Sequence, residues 1–345
     1  MREIGLIDSL RDRYPAKVGG VLVDSPIWLA PLAGITTSSL RQFHREMGAG
    51  LVHTEMVSAL GLIHGGRKTR EYLRFDEAER PIVLQLFGPD ADSLNQGAEI
   101  ALNAYAYEGL QVNMACPMPK VTKKGSGAKM LDSPLEAVRV VRQLKRFGVP
   151  LWLKIRLLPS SHSMTTEALC DLFLDAGADL LLVHGRTAAQ RYEGQADRGS
   201  VCRLAQKFPG KIVGSGDYYA SEDAVDFLDG GCAAVIAARG IIRDVMLIPK
   251  TLRVLGFDVP ERCILSEIDD QVDSLLLLGD RTFLREGEST VLVLVRRMLA
   301  GLFKGFSGAA ALRQQIAQLR HWEMMRDALV SFKNNHKSAP DEIQL

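Results

Sequence analysis

The chain has 345 residues, of which 47% are hydrophobic and 24% charged, with 42 Lys or Arg against 41 Asp or Glu. This composition excludes a disordered, collagen-like or disulfide-stapled protein, and the charge balance excludes a wholly basic coat protein but not a local basic face. The five cysteines are widely spaced without a CxxC pair, which predicts reduced thiols and no metal site. Neither a signal peptide nor a membrane span of ~20 apolar residues is visible, so we expect a cytoplasmic protein without a membrane partner.

Eight short apolar runs recur between residues 27 and 237. Each is rich in Val, Ile and Leu and is bounded by Gly, Pro or charge, which is typical of strands buried on both faces of a parallel sheet. The predicted strands are Ile27–Ala30, Leu51–Thr54, Ile82–Phe87, Leu110–Asn113, Leu151–Ile155, Leu180–His184, Lys211–Gly214 and Ala233–Ala237.

Helical patterns separate these runs. They are Ser93–Ala106, Ser133–Phe147, Thr166–Ala176 and Ser221–Leu228. Ser133 and Ser221 are predicted N-caps, and Glu136 would complete a capping box at the first. Strands that alternate with helices predict a (β/α)8 TIM barrel. An open dinucleotide-binding sheet would require G-x-G-x-x-G after its first strand, where this chain instead has A-P-L-A-G.

Two further segments flank the predicted barrel. Lys17–Asp24 alternates around a Gly-Gly pair and predicts a hairpin that closes the bottom of the barrel. After an acidic stretch at 256–280, Thr290–Phe303 and Ala309–Phe332 have helical patterns. We therefore predict a catalytic barrel at 1–250, a linker at 251–259, a helical domain at 260–337 and a tail at 338–345.

Polar residues or glycine turns stand at the carboxyl ends of most predicted strands, where barrel enzymes carry their active sites. They are Pro31, Glu55, Gln85, Asn113, Lys154, His184, the turn Gly214–Asp217 and the pair Arg239 and Gly240. Each alone is typical of a strand end that faces water, but their succession predicts a site. The last two turns are suited to bind phosphate through backbone N–H groups and a guanidinium.

Cys116 lies in a loop rich in Pro, Lys and Gly, where a thiol can act as a general acid or as a nucleophile. Nearby positive charge would favour its thiolate. Four lysines follow closely, Lys120, Lys123, Lys124 and Lys129. An inward Lys154 among apolar residues requires a partner, either an anionic cofactor edge or a structural carboxylate.

The stretch from Asn113 to Ala128 resembles the signature of the tRNA-dihydrouridine synthases, N-x-G-C-P-x-x-K-V-x-x-x-G-x-G. Supporting matches lie at 30–34, 54–58, 83–88, 154–156 and 184–194, and the resemblance covers residues 20–335. Three departures from the family pattern indicate a divergent branch: Ala115 and Ala238 replace Gly, and Ser215 replaces Asn.

The resemblance implies a TIM barrel with a C-terminal helical domain, FMN held noncovalently and NADPH as reductant. The residues implied around the flavin ring are Pro31, Ala33, Gln85, Lys154 and His184. Those implied at the ribityl-phosphate end are Gly214, Gly216, Asp217, Arg239 and Gly240. The implied reaction reduces uridine in tRNA to 5,6-dihydrouridine, with hydride from flavin N5 to C6 and a proton from Cys116 to C5. Asn113, Lys120 and Arg186 are the predicted substrate contacts.

The charge distribution supports an RNA partner independently of this resemblance. Residues 116–156 contain ten Lys or Arg and two acids, and residues 281–337 contain ten against four. The second cluster could equally be solvated helix faces paired with acids elsewhere. The alternatives are the same chemistry on ribosomal RNA, an FMN barrel oxidoreductase acting on a small pyrimidine, and an RNA chaperone with a relic barrel. We expect a monomer.

Overall fold

Eight parallel strands close into a barrel in the computed structural model, which describes Tyr14 and residues 16–259 and 267–337. The barrel strands are β3 (Ile27–Leu29), β4 (Val52–His53), β6 (Ile82–Phe87), β7 (Gly109–Asn113), β8 (Leu151–Arg156), β9 (Leu180–His184), β10 (Ile212–Ser215) and β11 (Ala234–Ala237). The other strands are β1 (Lys17–Val18), β2 (Val21–Leu22) and β5 (Val57–Ser58). The order around the sheet is β3-β11-β10-β9-β8-β7-β6-β4, and β5 pairs with β6 beyond β4. Two backbone hydrogen bonds close the circle, Leu29 N to Leu51 O at 2.9 Å and Gly50 N to Ile27 O at 2.8 Å. The predicted (β/α)8 barrel is confirmed.

Helices follow the strands and form the outer layer. They are α1 (Ser38–Glu46), α2 (Ala59–Ile63), α3 (Arg67–Glu71), α4 (Ala91–Ala104), α5 (Pro119–Thr122), α6 (Pro134–Lys145), α7 (Thr166–Asp175), α8 (Arg198–Lys207), α9 (Ser221–Asp229), α10 (Gly240–Arg243), α11 (Leu247–Val254), α12 (Glu267–Glu286), α13 (Glu288–Leu299), α14 (Ala309–Gln318) and α15 (Trp322–Lys337). Within the described residues no helix is both long and apolar enough to cross a membrane.

Ser133 stands at the N-cap position of α6 as predicted, but the predicted capping box there and the predicted cap at Ser221 are wrong. Ser133 precedes α6 but its hydroxyl makes no capping hydrogen bond, and the Glu136 carboxylate instead accepts from Ala91 N at 3.0 Å. Ser221 is the first residue of α9 rather than its cap, because Asp223 accepts from the backbone N–H of Ala220 at 2.9 Å. In α9 the Asp223 carboxylate thus bonds the backbone at the start of its own helix, whereas in α6 the Glu136 carboxylate bonds the start of a neighbouring helix, α4.

The barrel interior is filled by an apolar cluster in which Trp28 and Trp152 stack with ring centroids 5.3 Å apart. The predicted hairpin is confirmed as the antiparallel pair β1–β2. Its turn reaches the amino-terminal end of the barrel, where the Trp152 indole donates to Gly19 O at 2.8 Å. The hairpin therefore covers the amino-terminal end of the barrel, opposite the mouth at which barrel enzymes carry their active sites.

The carboxyl-terminal helices α12–α15 pack beside the barrel. The predicted helix Ala309–Phe332 is wrong as a single element, since α14 ends at Gln318 and α15 begins at Trp322. Helix α12 begins within the acidic stretch and continues beyond it to Glu286, which the charge pattern did not reveal. The predicted linker at 251–259 begins inside α11, and its remainder leads to residues 260–266, which lie outside the described part of the chain together with the tail at 338–345.

The helical domain is attached to the barrel by specific polar contacts. The Glu286 carboxylate accepts from the backbone N–H of Ser39 at 3.0 Å and from its hydroxyl at 2.8 Å, at the start of α1. Arg281 pairs with Glu46 at 2.6 Å near the other end of that helix. Both ends of α1 are thus tied to α12, so the helical domain has a fixed place beside the barrel mouth.

Candidate active site

Adjacent strands bring the predicted site residues together at the carboxyl-terminal mouth of the barrel. The parallel ladder aligns Asn113 with Lys154 and His184 with Ser215. The Lys154 ammonium donates to the Ser215 hydroxyl at 3.1 Å across the interior. These strand ends therefore form one polar group, as their succession along the chain predicts.

Asn113 fixes the start of the Cys116 loop. Its side-chain oxygen accepts from the backbone N–H of Ala115 at 3.0 Å and of Cys116 at 2.9 Å. Its amide nitrogen donates to the side-chain oxygen of Gln85 at 2.9 Å. Because Asn113 is the last residue of β7, the chain leaves the strand and turns directly over this amide. Asn113, one of the predicted substrate contacts, is thus joined to the predicted catalytic residue Cys116 by a hydrogen bond.

The second half of the loop returns to Cys116. Ala128 N donates to Cys116 O at 3.0 Å. Gly127 has φ +63°, and a Cβ there would lie 2.6 Å from the same carbonyl oxygen. A side chain at 127 would therefore force the two halves of the loop apart, which explains why a glycine stands at this position.

The Cys116 thiol is held in its protonated form. Burial raises its pKa above the ordinary value of 9.0, and a hydrogen bond from the Met118 backbone and the charge of Arg156 oppose this shift only in part. The expectation that the four nearby lysines favour a thiolate is wrong, because their side chains are exposed and Arg156 is the charge that acts on the thiol. A buried thiol that stays protonated is suited to donate a proton.

Lys154 and His184 lie in a positively charged interior. Burial lowers the pKa of Lys154 to about 7, and the neighbouring Arg156 contributes. Burial also lowers the pKa of His184 to about 2, helped by several nearby cations. Among the described residues, His184 Nε2 has no hydrogen-bond partner. No acidic side chain meets Lys154 there, so the structural-carboxylate interpretation of this lysine is not supported.

The turns after β10 and β11 meet around Arg239. Its guanidinium lies 4.5 Å from the Tyr192 ring centroid and donates to Asp217 at 3.2 Å. The small cavity beside it is lined by His184, Ser215, Gly216, Asp217, Tyr218, Tyr219, Ile236, Ala238, Arg239 and Gly240. The seventh and eighth turns therefore share one pocket, as the phosphate-site prediction requires.

Three positions in these turns, 214, 216 and 240, require glycine, each for a different structural reason. A Cβ at Gly214 would lie 2.6 Å from the Phe227 ring, so this glycine admits helix α9 against the strand. Gly216 has φ +116°, which other residues rarely adopt. A Cβ at Gly240 would lie 2.3 Å from Tyr218 O, so the two turns approach closely by backbone. Gly216 and Gly240 line the pocket, whereas Gly214 serves packing.

Arg186 has little capacity left for a substrate. It is 2% exposed and forms a bidentate ion pair with Asp217. Its remaining bonds go to the carbonyl oxygens of Glu193 at 3.0 Å and Gly194 at 2.6 Å. The two guanidiniums of Arg186 and Arg239 hold the pKa of Asp217 below its usual value despite burial, which opposes this lowering. The structure thus favours Arg186 as a support for Asp217 over the predicted substrate contact.

The loop after β3, which carries Pro31 and Ala33, is clamped by charged groups. Gly34 N donates to the Glu55 carboxylate, and Arg297 of α13 donates to Ala33 O at 2.6 Å. Burial raises the pKa of Glu55, while the Gly34 hydrogen bond and nearby arginines oppose the shift. A residue of the helical domain therefore helps to shape the rim of the mouth.

The two basic segments behave differently in the structure. Lys120, Lys123 and Lys124 have exposed side chains beside Cys116. Most basic residues of the carboxyl-terminal segment bond to partners elsewhere in the protein: Arg281 with Glu46, Arg285 with Asp76, Arg296 with Leu319 O, Arg297 with Ala33 O, Arg326 with Asp280 and Lys333 with Asp273. The paired interpretation is therefore favoured for most of the helical domain, whereas Lys120, Lys123 and Lys124 of the catalytic loop are exposed to solvent.

A cleft of about 790 Å³ separates the barrel mouth from the helical domain. Its walls include Arg41, Glu55, Tyr72, Arg285 and Glu286. It begins beside Gly34 and is open to solvent, so an extended substrate can approach the rim between the two domains. The walls carry both signs of charge and supply no dominant basic surface of their own.

Sequence reasoning missed two polar residues of the interior, His53 and Gln111. Both are fully buried, and the Gln111 amide nitrogen lies 3.2 Å from His53 Nε2. Gln111 stands two residues before Asn113, so both side chains face the same side of β7. This spacing could have identified Gln111 as a site residue, but Gln111 lies within a short run that was interpreted only as a buried strand.

Comparison with known proteins gives consistent matches over nearly the whole chain. A model of the dihydrouridine synthase (Dus) family matches residues 28–337. The chain is 29% identical over 320 residues to the probable tRNA-dihydrouridine synthase 1 of Synechocystis, covering 91% of this chain and 88% of that protein. It is 29% identical over 342 residues to the probable tRNA-dihydrouridine synthase of Mycobacterium tuberculosis H37Rv, covering 94% and 86%.

A solved structure shows the same architecture at low sequence identity. The ligand-free DHODH of Eimeria tenella superposes with a TM-score of 0.51 at 13% identity, covering 76% of this chain and 98% of that chain. At this identity the likeness concerns the barrel fold alone.

Proposed function

Because this chain belongs to the dihydrouridine synthase family, we propose that it reduces uridines in tRNA to 5,6-dihydrouridine, with FMN as cofactor and NADPH as reductant. The observation that carries the proposal is the position of Cys116 at the barrel mouth, where its backbone N–H donates to Asn113, which in turn donates to Gln85. Burial raises the pKa of the Cys116 thiol, which favours its protonated form. A uracil ring requires a proton at C5 when its C5–C6 double bond is reduced, and a protonated thiol can supply it.

The residues at the mouth fit a flavin mononucleotide. His184 Nε2 is buried without a partner among the described residues, and Lys154 has only a hydroxyl as its partner. An acceptor-rich ring edge would satisfy these groups and favour the charged form of Lys154. Arg239 and the backbone of Gly216 and Gly240 line the pocket at the predicted phosphate end. Pro31 and Ala33 would border the ring on the side of the β3 loop.

When bound and reduced, the flavin supplies hydride to C6 of the uracil. The protein residues position the base and manage the proton. Asn113 and Gln85 offer amide groups to the base or ring, and Cys116 delivers its proton to C5 from the loop above them. The positive charge of Lys154 and Arg156 stabilises the negative charge that develops on the pyrimidine before protonation.

An RNA substrate is favoured over a free pyrimidine by the exposed lysines of the catalytic loop. Lys120, Lys123 and Lys124 are exposed on the loop that follows Cys116 in the chain, where phosphates of a structured RNA can approach. A target base buried in folded RNA must be extruded to reach Cys116. Incubation with NADPH, FMN and unmodified transfer RNA, followed by mass spectrometry of nucleosides, should yield dihydrouridine. Ribosomal RNA and free uracil serve as competing substrates, and reduction of free uracil alone would refute the proposal.

Arg239→Ala should weaken FMN binding by about 10- to 100-fold, because it removes a charge-assisted phosphate contact worth roughly 1.5–3 kcal/mol. Equilibrium dialysis of the flavin-free protein measures the change. Arg253→Ala is the matched control, since this arginine is exposed on α11 away from the pocket. FMN affinity unchanged by Arg239→Ala would remove Arg239 from the cofactor site.

The logarithm of the affinity for tRNA should fall linearly with the logarithm of the salt concentration. Neutralising Lys120 and Lys123 together should make this fall less steep, by about 0.7–0.9 in the magnitude of the slope for each lost phosphate contact. The physical cause is the release of fewer counterions when fewer phosphates are neutralised. Filter binding across a salt series gives the slope. The double change Lys17→Ala/Lys211→Ala, in exposed lysines at the closed end of the barrel, should leave it unaltered. Equal slopes in wild type and the catalytic-loop variant would place the RNA elsewhere.

A further inference from the structure

A continuous chain of side-chain hydrogen bonds crosses the barrel interior beneath the mouth. His53 Nδ1 lies 2.9 Å from Leu29 O, and Gln111 Nε2 lies 3.2 Å from His53 Nε2. Gln85 Nε2 donates to Gln111 Oε1, and Asn113 Nδ2 donates to Gln85 Oε1 at 2.9 Å. The chain ends where Asn113 Oδ1 accepts from the backbone N–H groups of Ala115 and Cys116. We call His53, Gln111, Gln85 and Asn113 the interior chain.

Both ends of the interior chain require the same direction of donation. A backbone carbonyl can only accept, so Leu29 O requires the proton of the neutral His53 ring on Nδ1, which leaves Nε2 as an acceptor. At the far end, the N–H groups of Ala115 and Cys116 can only donate, so the Asn113 oxygen must face them. Every amide between these ends then has one permitted orientation. Reversal of any one would set donor against donor or acceptor against acceptor.

Burial prevents water from relaxing this requirement. His53, Gln85 and Gln111 are fully buried and Asn113 is 5% exposed. The ring of Trp152 lies edge-on to His53 with centroids 6.2 Å apart, which closes that end with apolar surface. Burial also lowers the pKa of His53 to about 3, so the ring remains neutral at physiological pH. A misoriented amide would therefore carry the full desolvation cost of its unpaired groups.

We propose that His53 and Gln111 are positioning residues that fix which edge of the Gln85 and Asn113 amides meets the ligands at the barrel mouth and that hold the start of the Cys116 loop. Each of the two amides uses one N–H in the chain and keeps a second N–H at a fixed place. The inference rests on the proposed function only for the identity of the ligands. The direction of the chain and its hold on Cys116 are properties of the flavin-free protein.

The tautomer of His53 tests the direction of the chain. Long-range ¹H–¹⁵N correlation spectra of the flavin-free protein between pH 5 and 8 should show His53 neutral with its proton on Nδ1. The resonance is assigned by its loss in His53→Gln. A proton on Nε2, or a doubly protonated ring in this range, would overturn the proposal, because Gln111 would then have to present its oxygen.

A matched pair of variants tests the hold on the site. His53→Gln can place an acceptor near the former Nε2 and keep the Gln111 bond, whereas His53→Asn can keep the donor to Leu29 O but leaves Gln111 unpaired. Alkylation of Cys116 by iodoacetamide, followed by peptide mass spectrometry, reports the order of its loop, and Cys202 on the outer helix α8 is the internal reference. We expect His53→Asn to raise the Cys116 rate and to weaken FMN binding, each by roughly tenfold, and His53→Gln to stay within about threefold of wild type.

The outcomes separate this inference from the proposed function. If His53→Asn leaves both the Cys116 rate and FMN affinity unchanged, or if His53→Gln is impaired as strongly as His53→Asn, the positioning role is refuted. Circular dichroism and thermal melting identify a variant that fails to fold, and the tautomer measurement on wild type still decides the question. A wild-type protein that binds no FMN would refute the proposed cofactor while the tautomer and alkylation results keep their meaning.

Discussion

Cys116→Ala is expected to slow oxidation of the reduced flavin by RNA by about 10²–10⁴-fold, the usual contribution of a positioned general acid. The variant should still bind FMN, and NADPH should still reduce that FMN at nearly the wild-type rate, because no hydrogen bond of the Asn113 amide involves the thiol. Stopped-flow absorbance of the flavin separates the two half-reactions. The effect should therefore appear in one half-reaction only.

The pH dependence of the RNA half-reaction provides a second test of the general-acid role of Cys116. Burial raises the pKa of the Cys116 thiol above its ordinary value of 9.0, so the acid form is present at neutral pH and is lost only in strongly alkaline solution. The wild-type rate of the RNA half-reaction should fall at high pH, and the rate of Cys116→Ala should not. Cys202→Ala is the control, since this thiol lies on α8 outside the mouth. Loss of flavin from Cys116→Ala, or hydride transfer to RNA at the wild-type rate, would refute the general-acid role.

The barrel could be predicted from sequence because its strands are distinct apolar runs. Ile82–Phe87 and Leu180–His184 have the predicted bounds, and the other six predicted strands differ by one residue at one or both ends. The short strand β5 was not predicted. In a closed parallel barrel the carboxyl ends of all strands meet at one mouth. Residues predicted at the strand ends were therefore expected to lie close together in space. Asn113, Lys154 and His184 are brought together in this way at the ends of three neighbouring strands.

The features that sequence reasoning missed depend on contacts between distant segments. His53 bonds to Gln111 across 58 positions of the chain, and the residues around each of them in sequence do not show that the two side chains meet. The charges of the helical domain were ambiguous for the same reason. Arg297 has its partner in Ala33 O, 264 positions away, so a local charge count could not show that it is engaged. Local pattern thus predicted elements and their ends, whereas tertiary contacts decided the roles of individual charges.

His44→Leu should make the free energy of unfolding less dependent on pH. Burial lowers the pKa of His44 to about 3, and neither ring nitrogen has a hydrogen-bond partner in the described part of the chain. Between this value and the unfolded pKa of 6.5, the unfolded chain binds one more proton at this residue than the folded protein does. Stability conferred by the neutral ring is therefore complete above about pH 6.5 and is lost as pH falls. The contribution is about 1.4 kcal/mol per pH unit, or roughly 2 kcal/mol between pH 6.5 and 5.

Urea unfolding of wild type and His44→Leu at several pH values between 5 and 7.5 gives the slope of the unfolding free energy against pH for each protein. The difference between the two slopes is the contribution of His44. His53 has a similarly lowered pKa and remains in both proteins, so the variant should lose one residue's share of the slope rather than all of it. His64→Leu is the matched control: its side chain is exposed, and its removal should leave the slope unchanged. Above pH 7 the ring of His44 is neutral in both states, so the two proteins should differ there only by packing and by relief of two unpaired nitrogens. A His44→Leu slope equal to that of wild type would mean that the ring is protonated, or solvated, in the folded protein.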